Sequence, residues 1–404
     1  MSEERNVRQS VTVDATLERA FEALTQTGEL RDWFSDLAWA DVHPGGRYAL
    51  HWGQGYHVEG RFLELEPPQR AVISWQGTGE PAETRVVFGL EPREGGVEVT
   101  VLHTGFGPGS EWDAAVAQSE RGWQVGLENL RSTLETGTDL RTARQPFLGI
   151  NLDILTPERA AREGIAAQWG IYIQGTVAGS GAQAAGLCQG DVLVALGGRQ
   201  TPSFDELGVV LRAHQAGDVV EAELVRGQQR ETVQITLGPR PRPELPASFE
   251  ELGTRLAERH QEVNGELRAA LHEVSEQQAD QRPGEGQWSV KQILAHLSEG
   301  ERAFHMIVVN LAVNGWLDGG PLLPDQIPGR LDAVLDVTPT LEGLVNRFLE
   351  DEAETAALVR RLPAETMAYK VRFRRIAEQV ITGPDHTLEH VEQIKQALQA
   401  VRGQ

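Results

Sequence analysis

Two histidines near the carboxyl end of the chain, His386 and His390, stand four residues apart in a stretch with helical spacing of apolar residues. Residues at this spacing lie on one face of an α-helix, so both imidazoles point the same way. Neutral imidazole nitrogens are common ligands of Zn²⁺ and of other first-row divalent ions. The pair therefore predicts part of a metal site that needs at least one further ligand from another stretch.

The same residues also match a second metal motif. The run His386-Thr387-Leu388-Glu389-His390 reads H-x-x-E-H, the inverted zinc-protease motif, in which Glu389 would be the general base. Enzymes of that type need a further carboxylate ligand from a larger helical domain. A zinc metalloprotease is therefore kept as a minor alternative, because a motif this short often matches by chance.

Four amphipathic helices are predicted to position these histidines. Their expected bounds follow the capping residues and the apolar spacing: 248–275, from about 289, 341–362 and 376–401. Ser289 can cap the second helix, and Gly383-Pro384 is expected to kink or interrupt the fourth. Helices of this number and length favour a four-helix bundle over residues 248–404.

This block resembles a known family. The motifs that carry the resemblance are Trp288-Ser289-Val290-x-x-Ile293-Leu294-x-His296-Leu297-x-x-x-Glu301 and Asp385-His386-x-x-x-His390-x-x-Gln393-Ile394. They resemble the DinB-like, mycothiol-transferase-like bundles. The resemblance covers the whole block and implies a divalent metal held by His296, His386 and His390. Zn²⁺ is the expected ion, with Ni²⁺, Fe²⁺ and Mn²⁺ as alternatives.

Three imidazoles would leave an open position on the ion, as catalytic zinc sites do. Because all three ligands are neutral, the full charge of the ion would be available to lower the pKa of a water or an incoming thiol. His305 lies nine residues after His296, about half a turn around the helix, and should not join the site. His260 and His272 are expected on the surface.

The middle block, residues 144–239, is rich in glycine and valine and resembles a PDZ domain of the bacterial HtrA type, a mainly-β fold. Its motifs are Phe147-Leu148-Gly149-Ile150, Gly170-Ile171-Tyr172-Ile173 and Gly190-Asp191-Val192-Leu193-Val194. Such domains bind a protein C-terminal peptide by adding it as a strand to the sheet edge. By resemblance, the peptide-binding residues are Phe147, Leu148, Gly149, Ile150, Leu207 and Leu211. Neither flanking block contains a serine-protease triad pattern, so the resemblance to HtrA proteins ends with this domain.

The first block, residues 1–140, alternates short apolar runs with turns and ends in a long helical pattern. Its motifs include Leu30-Arg31-Asp32-Trp33-Phe34, Pro44-Gly45-Gly46-Arg47-Tyr48 and Gly122-Trp123-x-x-x-Leu127. They resemble the START-like SRPBCC superfamily, in the branch related to heat-shock ATPase activators, which has an α+β helix-grip fold. The resemblance implies a cavity for a hydrophobic small molecule. The aromatic residues that could line it are Trp33, Phe34, Trp39, Trp52, Trp75, Phe106 and Trp123, although for any single one of them an ordinary core position is the favoured interpretation.

Composition limits the possible partners. The 404 residues carry 37 basic and 59 acidic side chains, a net charge of −22, which disfavours nucleic acid and anionic membrane surfaces as partners. Cys188 is the only cysteine, so there is no intrachain disulfide and no thiolate metal cluster. The first residues contain no apolar signal segment, which predicts a cytoplasmic location. Four prolines lie in residues 239–246, and residues 240–247 form the predicted linker before the bundle.

Two functions remain open at this point. The first is a metal-dependent thiol transferase, of use in detoxification or stress response, in which the bundle transfers a low-molecular-weight thiol to an electrophile that the first block has collected. The second is a non-catalytic adaptor, in which the PDZ groove captures a protein C-terminus and the flanking blocks recognise small ligands. Many bundles of the resembled family have no assigned reaction, so the sequence does not decide between the two.

Overall fold

The computed structural model of the chain describes residues 5–53, 55–241, 244–284, 286–315 and 329–402. The chain forms two compact units. The first consists of Met1–Thr138 together with Glu244–Gln404, and the second consists of Asp139–Pro243. Arg242 and Pro243 of the predicted linker lie outside the described residues. None of the helices in the described part of the chain is long and apolar enough to cross a bilayer.

The first unit begins with a curved antiparallel sheet packed on one long helix. Its elements are β1 (Arg5–Val13), α1 (Leu17–Thr25), α2 (Thr27–Trp33), β2 (Leu37–Ala40), β3 (Arg47–His51), β4 (His57–Glu66), β5 (Arg70–Gly77), β6 (Thr84–Arg93), β7 (Gly96–Phe106) and α3 (Asp113–Thr136). The strand order is β1-β7-β6-β5-β4-β3-β2. Trp123, Leu127 and Leu130 of α3 are buried because they share the face of the helix that meets the sheet. The predicted helix-grip fold is confirmed, with two short elements, α2 and β2, that the apolar pattern did not predict.

The second unit is a small, mainly-β domain. Its elements are α4 (Leu140–Ala143), β8 (Pro146–Phe147), β9 (Ile150–Ile154), α5 (Pro157–Glu163), β10 (Ile171–Thr176), α6 (Gly181–Ala184), β11 (Asp191–Leu196), β12 (Arg199–Gln200), α7 (Phe204–Arg212), β13 (Val219–Arg226), β14 (Gln229–Thr236) and β15 (Gly238–Pro239). The main sheet has the order β14-β13-β11-β10-β9, with β12 paired to β11, while β15 pairs with β8. Strand β9 therefore ends the sheet, as strand addition requires.

The helical part of the first unit is a four-helix bundle with two short additional helices. Its elements are α8 (Phe249–Ala270), α9 (Glu276–Asp280), α10 (Val290–Asn314), α11 (Gly329–Val337), α12 (Leu341–Arg360) and α13 (Lys370–Arg402). Around the bundle α10 contacts α12, α12 contacts α8, α8 contacts α13, and α13 returns to α10. The all-α prediction for this region is confirmed.

Two predicted bounds are wrong. The first long helix ends at Ala270 rather than near residue 275. The last helix begins at Lys370 and passes through Gly383-Pro384 without interruption. A proline inside a helix removes one backbone hydrogen bond, and here packing maintains the helix, since Pro384 is itself buried. The unbroken helix carries His386 and His390 on a single rigid element.

A buried ion-pair network joins the sheet region of the first unit to the start of α13. Glu29 and Asp32 of α2 are 2% and 3% exposed. Arg372 donates to Glu29 at 2.9 Å, and Arg375 donates to Asp32 at 2.6 Å. Arg19 also donates to Glu29. The two regions are therefore held together by charged groups that would be costly to separate.

Candidate metal centre

Three imidazoles meet between α10 and α13. One ring nitrogen of each of His296, His386 and His390 lies within 4.8 Å of the others, and the ring centroids are 4.5 to 5.6 Å apart. His296 is 8% exposed, His390 is half-buried, and His386 is the most exposed of the three, although part of its ring is desolvated by its neighbours. The structure thus brings together the three histidines that the family resemblance implied.

The position of His296 is set by a well-defined N-terminal cap on helix α10. The Ser289 hydroxyl caps the helix by accepting a hydrogen bond from the Gln292 backbone N–H. In return, the Ser289 backbone N–H donates to the side-chain oxygen of Gln292. Just before this cap, the Trp288 ring lies 4.9 Å from the His296 ring. The reciprocal cap fixes the first turn, so the position of His296 two turns later follows from helical geometry.

His390 is oriented by a side chain one turn along α13. Its Nδ1 lies 2.7 Å from Oε1 of Gln393, and because an amide oxygen can only accept, Nδ1 must carry the proton. The lone pair of His390 is then on Nε2, the nitrogen free to bind a metal. The sequence motif contained Gln393, but no role was predicted for it. The spacing of three residues from His390 is the signal that could have revealed it.

The surroundings of His386 favour its neutral form. Burial lowers the pKa of His386, and a protonated His390 would lower it further. Neutral imidazoles can bind metal, whereas protonated ones cannot. Among the described residues this is the one group of three histidine, cysteine or carboxylate side chains with metal-binding geometry. Its third member is His296 and not a carboxylate, which is unlike the ligand set that the protease alternative needs.

An open groove of about 500 Å³ lies between the segment before α10 and the last part of α13. It is lined by Pro283, Gly286, Gln287, Trp288, Gln393, Gln396, Ala397 and Ala400. Trp288 and Gln393 belong both to this groove and to the contacts of the histidines. None of the lining residues is charged, so the groove suits a polar but uncharged portion of a ligand.

The aromatic residues predicted to line a cavity in the sheet region mostly lie together. Phe34 contacts Trp33, Trp123 and Trp52, with ring centroids 4.5, 5.0 and 5.3 Å apart. Trp75 packs on Trp123 at 5.4 Å. Phe106 contacts the ring of His103, with ring centroids 4.5 Å apart. Trp39 does not join this aromatic cluster, because it lies on the edge strand β2 and is 57% exposed.

One buried histidine belongs to the aromatic cluster. His103 accepts from Trp123 Nε1 at 3.3 Å and lies 2.8 Å from the Thr84 hydroxyl. Burial lowers the pKa of His103 to about 3, so the ring is neutral near pH 7. It serves as a satisfied polar group inside an aromatic core.

In the second unit, Gly149 has φ of 85°, and a Cβ added there would lie 2.1 Å from the Cβ of Ser180. Glycine is therefore required in this loop. Leu148, Ile150 and Leu207 are buried, while Phe147 and Leu211 are half-buried. Asp153 forms an ion pair with Arg159 at 2.7 Å, which offsets the negative charge of β9.

His260 was expected on the surface, and this is wrong: it is 7% exposed inside the bundle. His260 continues the buried stripe of Leu256, Val263 and Leu267 on α8. Its spacing from those residues was the missed signal, because a histidine on an apolar stripe must face the core. His272 is exposed as predicted. His305 contacts Thr355 and lies outside the group of three histidines, also as predicted.

Family models match three separate regions of the chain. The activator of Hsp90 ATPase homolog 1-like protein model matches residues 14–135, the PDZ domain model 146–237, and the DinB superfamily model 260–394. These matches confirm the three resemblances that the motifs indicated, and the three-region organisation with them.

Individual relatives cover only part of the chain. HhoB of Synechocystis sp., named as a candidate serine protease, is 27% identical over 128 residues, 30% of this chain. The chain spans 31% of the length of HhoB. The solution structure of the Aha1 dimer from Colwellia psychrerythraea has 22% identity and a TM-score of 0.29, covering 33% of this chain and 98% of that one. CalU16 from Micromonospora echinospora has 22% identity and a TM-score of 0.27, covering 32% and 81%.

Proposed function

We propose that His296, His386 and His390 hold one divalent metal ion, Zn²⁺ in the first instance, and that the bundle transfers a low-molecular-weight thiol to an electrophilic small molecule. The observation that carries this proposal is the convergence of three imidazole nitrogens from two helices within 4.8 Å. A set of three neutral nitrogen donors is typical of catalytic zinc sites with one open position.

The donor set fits such an ion in its protonation as well as its geometry. Gln393 holds the proton of His390 on Nδ1 and leaves Nε2 for the ion. Partial burial lowers the pKa of His386, which favours the neutral form that binds metal. When bound, a divalent ion would supply the positive charge that lowers the pKa of a thiol at the open position.

The remaining groups bind and orient the reactants. The Trp288 ring packs against His296, and Trp288 also lines the uncharged groove, where a reactant would bind. The thiol proton passes to solvent on the exposed side of His386. Sulfur then forms a bond to the electrophilic carbon, and the leaving group departs with the electron pair of the bond that breaks.

The thiol must come from solution. Cys188 is the one cysteine of the chain, and burial together with Asp191 raises the pKa of its thiol. Its sulfur lies 3.7 Å from the Asp191 carboxylate, where a thiolate would be repelled. A cytoplasmic location, where small thiols are kept reduced, suits the reaction. From the match of the first region to the activator of Hsp90 ATPase homolog 1-like model, we further propose that this region binds the hydrophobic electrophile in a detoxification or stress response.

The reaction can be tested directly with the full chain. Zn²⁺-loaded protein is mixed with monochlorobimane and, one at a time, cysteine, glutathione, coenzyme A and a sugar-linked thiol, and conjugate fluorescence is followed. We expect acceleration with at least one thiol, a loss of 100-fold or more in His386→Ala, and no change in the exposed control His272→Ala. Equal rates in both variants would exclude the proposal.

A second candidate function, an adaptor that binds protein C-termini, is supported by the position of β9 at the end of its sheet. The Gly149 loop lies at the start of that strand, where backbone N–H groups could receive a terminal carboxylate. The two functions are compatible, since they use different residues.

A further inference from the structure

A second group of polar side chains is buried in the bundle, away from the three histidines. His260 and Asn264 of α8 face Glu352 of α12, and Glu301 of α10 lies close enough to affect the charge of Glu352. His260 is 7% exposed and Glu352 is 2% exposed. This polar cluster shares no residue with the candidate metal centre.

The hydrogen bonding of the cluster is incomplete. Asn264 Nδ2 donates to Glu352 Oε2 at 2.6 Å. Within the described part of the chain, the other carboxylate oxygen, Oε1, and the Asn264 oxygen are both buried without a hydrogen-bond partner. Buried acceptors are nearly always satisfied, so an unsatisfied pair points to an occupant that the protein itself does not supply.

The spacing of the donor atoms suits an ion. Glu352 Oε1 and His260 Nε2 are 3.8 Å apart, too far for a hydrogen bond. Two ligands that share an ion at roughly 2.1 Å lie about 3 to 4 Å apart, which includes the observed separation. The buried amide oxygen of Asn264 offers a third ligand atom, while Asn264 Nδ2 keeps its hydrogen bond to Glu352.

The charge of the cluster points the same way. Burial raises the pKa of Glu352 to about 8, with a contribution from Glu301, whose own pKa is also raised by burial. Among the described residues, no lysine or arginine forms an ion pair with either carboxylate, whereas neighbouring Asp351 has Arg302. Burial lowers the pKa of His260 to about 4, so its ring is neutral and cannot balance the charge. The carboxylates need a cation or a proton from elsewhere.

We propose that Glu352, His260 and Asn264 form a second divalent-cation site, with Glu301 supplying additional negative charge. Its mixed set of carboxylate, imidazole and amide donors differs from the three imidazoles of the candidate metal centre and suits Mn²⁺ or a similar first-row ion better than a dedicated zinc site. The ion bridges α8 and α12 and stabilises the bundle from within. A carboxylic acid proton is the competing occupant.

The test is ion stoichiometry in the full chain. Protein saturated with Zn²⁺ is titrated with Mn²⁺, freed of unbound ions by gel filtration, and analysed for both metals by plasma mass spectrometry. We expect two divalent ions per chain, and one in Glu352→Gln. The exposed control on the same helix, Glu354→Gln, should keep two. If Glu352→Gln does not fold, His260→Gln removes a ligand without removing charge and should also give one.

The outcomes separate this proposal from the proposed function. His390→Ala should lose one ion while the second remains, and the variant that combines His390→Ala with Glu352→Gln should hold none. A single ion that is lost in His390→Ala and kept in Glu352→Gln would overturn the second site and leave the first intact. A single ion that is kept in His390→Ala and lost in Glu352→Gln would overturn the candidate metal centre and leave the second site intact. Unchanged ion content in Glu352→Gln with increased stability above pH 8 would identify a proton as the occupant and overturn the proposal.

Discussion

Nδ1 of His390 lies 2.7 Å from Oε1 of Gln393, so a single hydrogen bond orients the His390 ring and leaves Nε2 as its available metal ligand. Hydrogen bonds of this kind orient metal-binding histidines and typically change metal affinity 10- to 100-fold when removed. We predict that Gln393→Leu weakens Zn²⁺ binding by about that factor, measured by competition with a chelator. Gln396→Leu changes the same groove without touching His390 and should have no such effect. Equal losses in the two variants would contradict the role of Gln393.

The metal-derived stability should depend on pH with a definite sign. Because burial and His390 depress the pKa of His386, that stability is fully present above the usual histidine pKa of about 6.5 and is lost as pH falls below it. We expect the increase in melting temperature on adding Zn²⁺ to be constant from about pH 8 to 6.5 and to decline at lower pH. The measurement is a series of thermal melts with and without Zn²⁺. An increase that grows towards acid pH would contradict the assignment.

The buried pair of Asp32 and Arg375 should be important for stability. Arg375→Gln leaves the Asp32 carboxylate, 4% exposed, without its 2.6 Å partner. We expect a loss of about 2 to 4 kcal/mol in the free energy of unfolding, measured by urea denaturation with tryptophan fluorescence. Adding Asp32→Asn to this variant should recover most of the loss, because no buried charge then remains unpaired. A surface control, Lys395→Gln, should have almost no effect, and a similar result for Arg375→Gln would be inconsistent with the network.

Gly149 offers a test of the adaptor function. Its φ of 85° and the 2.1 Å approach of an added Cβ to Ser180 mean that Gly149→Ala must distort the loop before β9. We predict that a peptide with a free C-terminal carboxylate binds the wild-type chain at least tenfold more tightly than its amidated form. The difference should disappear in Gly149→Ala and persist in Gly175→Ala, where an added Cβ meets only ordinary contact. Calorimetric titration measures both, and equal affinity for the two peptides would argue against carboxylate recognition.

The three regions and the convergence of the three histidines could be predicted from the sequence because both depend on local patterns. The caps at Ser248 and Ser289 and the spacing of His386 and His390 are short-range features that the fold preserves. To place His296 beside His386 and His390, one long-range contact also had to be assumed, the packing of α10 against α13. The family resemblance implied that contact.

The features that the sequence did not predict depend on tertiary contacts. Helix α2 is stabilised where it lies, with Leu30 and Trp33 buried and Glu29 paired across to Arg372. Helix α13 continues through Pro384 because its surroundings offset a local break. Trp39 was grouped with the other aromatic residues by type alone, and the register of edge strand β2 turns it outward. No local pattern contains this information.

The most direct test of the central claim is the zinc content of two histidine variants. Wild-type protein, His390→Ala and His272→Ala are loaded with Zn²⁺, dialysed, and analysed by plasma mass spectrometry against protein concentration. Three converging imidazoles predict that His390→Ala holds one zinc ion per chain fewer than the wild type, and that His272→Ala holds the same number. Identical zinc content in all three proteins would contradict a metal centre at His296, His386 and His390.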